Sequence, residues 1–187
     1  MSDAGGSGDL GRVRDGDFDV RALFDALDHQ RRERGLSWKE VVEHIWQMSF
    51  QLNDRRHDHP IASATVTGMP KRNAISCQHA LFMLRWIGKP PEDFLSTPVA
   101  GTAGADLPDV GPDRRLRWNL RALYAAMDGR RRDEQLTWKE LGRRLHCTPS
   151  QLTGLRTARF ATGMTLAMRI TQWQGRPAAD FIYAAKW

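Results

Sequence analysis

The sequence predicts an all-α protein built from two tandem copies of one helical unit. Three observations carry that prediction. Residues 21–40 (RALFDALDHQRRERGLSWKE) and 121–140 (RALYAAMDGRRRDEQLTWKE) are identical at eleven of twenty positions at an offset of 100. About one identity would arise by chance, so the chain carries an internal repeat. In both copies a helix-start residue is followed by apolar residues at helical spacing. Finally, Leu136–Arg159 (LTWKELGRRLHCTPSQLTGLRTAR) packs two capping boxes and two hydrophobic staples into 24 residues.

Taken in order, residues 1–16 are rich in Gly, Asp and Ser and lack an apolar segment. They are expected to be disordered and not to serve as a secretory signal. The first copy spans 17–95. Asp19 caps a helix whose apolar stripe is Val20, Leu23, Phe24 and Leu27, ending near Gly35. Ser37 then caps a second helix, with Glu40 as its box partner and Leu36/Val41 as its staple. The second copy, 113–187, repeats this with Asn119, Leu120, Leu123, Tyr124, Met127 and an end near Gln135, then Thr137, Glu140 and Leu136/Leu141. At the far ends, Trp86, Gly88, Pro90, Asp93 and Phe94 match Trp173, Gly175, Pro177, Asp180 and Phe181 at an offset of 87. A helix is expected to stop near each of those glycines and another to start at each proline.

The copies differ in the middle. Val66-Thr67-Gly68-Met69 aligns with Leu152-Thr153-Gly154-Leu155 at an offset of 86, so the first copy carries an insert of about 14 residues near 47–60. Helix two of that copy is expected to run on through Met48, Phe50 and Leu52, and helix three to stop near Met69 because Pro70 follows. Residues 96–112 are aperiodic and rich in Gly, Pro, Ala and Thr, as in a linker. Charge divides unequally. Residues 17–95 are neutral, with 11 Lys/Arg and 11 Asp/Glu, whereas residues 113–187 hold 15 Lys/Arg and 6 Asp/Glu. The second copy alone is therefore +9 and the rest of the chain net negative, which fits selective use of that copy on a polyanion.

Within Leu136–Arg159, Thr137 opens one helix and Thr148 a second, with Pro149 at its first position and Gln151 three residues after the cap. Leu141, Leu145, Cys147, Leu152 and Leu155 are spaced to share one small core, and Gly142 is small where the two helices cross. This stretch resembles the helix-turn-helix of the Cro and phage-repressor (XRE) family. It departs from the family pattern at His146, where glycine is usual in the turn, and at Ala158, where glycine often ends the second helix. The resemblance implies two tandem five-helix domains, the first with an insertion. It also implies that the second helix of the motif lies in the DNA major groove.

On that basis Ser150, Gln151, Thr153 and Gly154 are the expected base-edge readers. Gln can make bidentate contacts to adenine, and Ser and Thr suit several bases. Thr137, Trp138 and Lys139 at one helix start, with Arg156, Thr157 and Arg159 near the end of the next, are the expected phosphate contacts. Arg31/Arg32 and Arg131/Arg132 recur in both copies and are read as structural, capping helix-one carbonyls or pairing with Asp128. Trp86 and Trp173 are read as packing residues; for Trp138, packing and phosphate contact stay open.

The function implied is a sequence-specific, DNA-binding transcriptional regulator of bacterial or phage type, expected to act as a repressor. Double-stranded DNA is the expected partner, a homodimer is plausible, and the location is cytoplasmic, at the nucleoid. Two rivals stay open: a protein-interaction protein (antitoxin or adaptor) docking a partner through residues 41–60, and an RNA-binding helical protein. An exposed apolar patch of Trp46, Met48, Phe50 and Leu52 would favour the first rival. Cys77 and Cys147 suggest no disulfide framework, and His57, Asp58 and His59 lack the spacing of a zinc motif. No cofactor, metal or membrane span is expected, and no catalytic constellation supports an enzyme.

Overall fold

The computed structural model describes residues 16–97, 104–157 and 162–186. The expected disorder of residues 1–15, the middle of the linker, Ala158 and Arg159 lie outside the described residues. The described chain is mostly helical, with one two-stranded sheet. In order come α1 (Val20–Glu33), α2 (Trp38–Gln47), α3 (Phe50–Arg56), α4 (Ser63–Arg72) and α5 (Cys77–Ile87). Then follow β1 (Arg115–Trp118), α6 (Leu120–Asp133), α7 (Trp138–Arg144), α8 (Pro149–Gly154), α9 (Met164–Gln174) and β2 (Ile182–Ala185). No described helix is long and apolar enough to cross a membrane.

Local chemistry explains the helix starts. The Asp19 carboxylate accepts from the Arg21 and Ala22 amides at 2.9 and 3.0 Å, and Asn119 accepts from Ala122 at 3.0 Å. Ser37 and Thr137 form complete capping boxes with Glu40 and Glu140. In each box the glutamate accepts from the cap amide at 2.7 Å. The Ser37 and Thr137 hydroxyls donate to the same carboxylates, and these bonds, with those from the cap amides, hold both carboxyls below the ordinary glutamate range. α1 and α6 each run 14 residues and end before a residue in the left-handed region, Gly35 (φ 65°) and Gln135 (φ 54°).

Four features differ from the sequence expectation. The segments after Pro90 and Pro177 are single 3-10 turns, Pro91–Phe94 and Ala178–Phe181, not fifth helices. They stop because Phe94 and Phe181 are buried and their carbonyls accept from the Asp19 and Asn119 amides, both at 2.7 Å. The antiparallel β1–β2 pair, with Arg115 opposite Ala185 and Trp118 opposite Ile182, was not expected. Each strand has only four residues, too few for a period-two pattern to declare itself. α4 runs through Pro70 to Arg72 and closes on Asn73 at φ 45°. Proline deprives only the Val66 carbonyl of a partner near the helix end, while Val66 and Met69 are fully buried.

The insert is the fourth difference. α2 stops at Gln47 and a separate helix, α3, follows, ended by His57 at φ 51°. α3 packs on the chain itself. The Leu52 amide donates to the Pro112 carbonyl (3.3 Å), and the Ser49 hydroxyl donates to the Arg114 carbonyl (2.6 Å). The Arg115 guanidinium, 3% exposed, is held by the Asn53 side chain and the Asp58 carboxylate. One continuous apolar core runs through both halves, from Leu23, Leu27, Val66 and Leu81 to Leu123, Leu141, Leu152 and Met168.

Candidate nucleic-acid interface

Two short helices and a tight turn build the site. α7 ends at Arg144, and His146 takes the left-handed conformation at φ 51°, the geometry glycine would supply without steric cost. The Cys147 amide donates to the Gly142 carbonyl at 2.9 Å, folding the chain back onto α7. A Cβ on Gly142 would stand 2.7 Å from the Cys147 carbonyl, so the crossing admits only glycine. Thr148 then caps α8. Its hydroxyl accepts from the Gln151 amide at 3.2 Å, and the Gln151 side-chain oxygen accepts from the Thr148 amide at 2.8 Å. Leu141, Leu145, Leu152 and Leu155 are buried beneath the pair. Burial pushes the Cys147 thiol up to about 11, so it stays protonated at neutral pH.

The four expected base readers, Ser150, Gln151, Thr153 and Gly154, are all exposed on α8. Two of them carry local duties. The Gln151 carbonyl oxygen belongs to the capping box, which leaves its amide hydrogens as the outward donors. The Thr153 hydroxyl donates to the Pro149 carbonyl at 3.1 Å and keeps its lone pairs for an outside donor. Gly154 has no heavy atom within 4 Å of where a Cβ would sit, so its place in α8 faces open space rather than a tight packing contact. Beside α8 lies a cleft of about 300 Å³ that also takes in Thr162, Gly163 and Leu166. Sequence reading passed over those three; their offset of 87 from Ile75, Ser76 and His79 was the available signal.

The expected phosphate contacts divide. Lys139 and Arg156 are exposed and form no ion pair among the described residues, and Thr157 is exposed, its hydroxyl donating to the Gly154 carbonyl at 3.1 Å. The Thr137 hydroxyl is committed to its capping box. Trp138 packs: it is half-buried, stacks on Tyr124 at 5.8 Å and carries the Arg131 guanidinium 4.4 Å from its ring centroid. The first half repeats this cluster with Trp38, Phe24 and Arg31. Arg131 also binds Asp128 (2.8 Å) and the Leu136 carbonyl (2.6 Å), as Arg31 binds Asp28 and the Leu36 carbonyl (both 2.8 Å). These arginines are structural, as their recurrence suggested. Trp86 is buried, whereas Trp173 is half-buried under the Arg130 guanidinium.

The segment at 41–60 does not form the contiguous apolar patch that would have favoured a docked protein. Leu52 is 2% exposed, Trp46 stacks on His59, and Phe50 alone of the four stands open at 41%. Among the described residues, no group of three His, Cys, Asp or Glu is arranged to hold a metal ion. No protein-family model, curated protein or solved structure matches the chain.

Proposed function

We propose that the chain is a sequence-specific, double-stranded-DNA-binding transcriptional regulator of the Cro and phage-repressor type. In this reading the molecule is a tandem duplication, α8 lies in the major groove, and the protein acts as a repressor at the nucleoid. The observation that carries it is the unit made by α7, the turn at His146 and α8. It leaves Ser150, Gln151, Thr153 and Gly154 exposed on a helix whose start and whose neighbour's start are both capped, with Arg156 exposed just beyond the helix end. Arg156 and Arg159 grip phosphates and set register, while α8 reads base edges. The +9 balance of residues 113–187 supplies the sequence-independent attraction. Homodimers on two-fold sites fit the same reading.

The test is selection of duplexes from a random pool by the full-length chain, followed by anisotropy titrations across a salt series. Wild-type protein is expected to bind selected duplexes with a steep salt dependence. Arg156→Ala with Arg159→Ala is expected to weaken binding to all sequences and to lower the salt slope by about 2. If the arginine pair can be removed with no change in the isotherms, the phosphate face has been assigned to the wrong residues.

A further inference from the structure

The two halves meet through equivalent segments. Ser76 and Gly163 stand at the same offset of 87 that aligns Trp86 with Trp173, and they form an antiparallel bridge with each other. Its flanking hydrogen bonds are reciprocal. The Cys77 amide donates to the Thr162 carbonyl at 2.8 Å, and the Met164 amide to the Ile75 carbonyl at 2.9 Å. Cys77 and Met164, like Ile75 and Thr162, are again 87 apart. Directly after the bridge α5 and α9, the matching helices, pack against each other. A contact in which each segment meets its own counterpart is what a two-fold axis produces.

The clefts obey the same relation. The one beside α8 is lined by Ser150, Gln151, Thr162 and Gly163. A second, of about 520 Å³, is lined by Ala64, Thr65, Ile75 and Ser76 and shares Gly163. Ala64 and Thr65 match Ser150 and Gln151 at the offset of 86, so α4 borders its cleft as α8 borders its own. Charge follows too. Although the first half is neutral, residues 59–91 contain four Lys/Arg and no Asp/Glu, and the aligned residues 146–178 likewise contain four and none. The acidic residues of the first half are confined to the flanks of that window. Along α4, Ser63, Ala64, Thr67, Lys71 and Arg72 are exposed.

Resting on the DNA-binding reading above, we infer that α4 is a second duplex-DNA contact element, related to α8 by an internal two-fold axis at Ser76 and Gly163. One chain therefore engages two adjacent, unlike stretches of one duplex without a second copy. The half of the chain that holds α4 is neutral where the other half is +9, and Ala64, Thr65 and Thr67 stand where α8 has Ser150, Gln151 and Thr153. Its preferred site is accordingly an imperfect inverted repeat, with the weaker half under α4.

The experiment uses the full-length chain on a duplex selected as above, reading affinity across a salt series, hydroxyl-radical footprint and mass of the complex. Lys71→Glu is compared with Lys89→Glu, which makes the same charge change just beyond the opposite end of α5. Both side chains are exposed, and folding is checked by circular dichroism. Lys71→Glu is expected to weaken binding about tenfold more than Lys89→Glu and to lower the salt slope by about 1. It should also erase protection on one side of the footprint, in a complex containing one chain per duplex. The inference is overturned if the two variants bind alike, if the Lys71→Glu footprint is unaltered, or if the minimal complex requires two chains. Failure of wild-type protein to bind any duplex would overturn the DNA-binding reading itself. The Lys71 result bears on α4 alone.

Discussion

The link between α7 and α8 and the link between α2 and α4 begin from the same local design and end in different structures. Ser37 and Thr137 cap α2 and α7 with the same box and nearly the same distances. From there, the second half needs only Leu145 to Thr148 to reach its next helix, whereas the first half spends Met48 to Ala62 and builds α3 on the way. The residue at position 42 against 142 marks the divergence. Gly142 lets the returning chain sit on the helix, while the first half has Val42, half-buried against the core. The longer link does other work: Ser49, Asn53 and Asp58 grip Arg114 and Arg115 at the start of β1. One link holds an exposed helix rigid; the other ties the two halves into a single core.

The sharpest way to break that comparison is to write one half's residue into the other. Gly142→Val is expected to destabilise the protein by more than about 2 kcal/mol, because its Cβ meets the backbone carbonyl of Cys147 rather than a side chain that can move. Denaturant melts read this directly, and DNA binding should fall with it. Val42→Gly, made as the mirror exchange, should cost only about 1 kcal/mol, from helix propensity and lost apolar contact.

Removing the grip of α3 has the next largest effect. Asp58→Ala leaves the buried Arg115 with Asn53 as its remaining side-chain acceptor, and is expected to cost about 2 kcal/mol; Asp58 is itself part-exposed, which keeps the loss below that of a fully buried pair. The hydrogen bond from Arg115 holds the Asp58 carboxyl below the usual aspartate range. A carboxyl with a depressed folded-state value stabilises the fold above its unfolded value and loses that contribution as pH falls through the folded one. The gap between wild type and Asp58→Ala should therefore be full at neutral pH and shrink in acid, as chemical denaturation at pH 7 and at pH 3 would reveal.

The smallest effect tests what the halves share. Ser37→Ala and Thr137→Ala should each cost about 1 kcal/mol, and by similar amounts, since the two boxes are alike. A large inequality would mean that one helix start depends on tertiary contacts that the other lacks.

What could be read from the sequence was what is decided within a few residues. Each capping box needs only a cap and a residue three further on, so Ser37/Glu40, Thr137/Glu140 and Thr148/Gln151 were visible at once. The exposed face of α8 and the glycine at the crossing followed from the same spacing. What escaped depends on partners far along the chain. β1 becomes a strand because β2, near the other end, pairs with it. α3 is a separate helix because Leu52 and Asn53 meet Pro112 and Arg115. Pro70 is carried inside α4 because Met69 is anchored in the core. The Gln151 side chain, expected to face bases with both its groups, has one of them tied in its own cap.

Photo-crosslinking distinguishes α8 from α3 as the element that the short link presents to DNA. A p-benzoylphenylalanine replaces Ser150 on α8 or Gln51 on α3, both exposed, in the full-length chain bound to a selected duplex. An efficient protein–DNA crosslink is expected from position 150, suppressed by high salt, and none from position 51. A bound complex that crosslinks from 51 and not from 150 would contradict the assignment of α8.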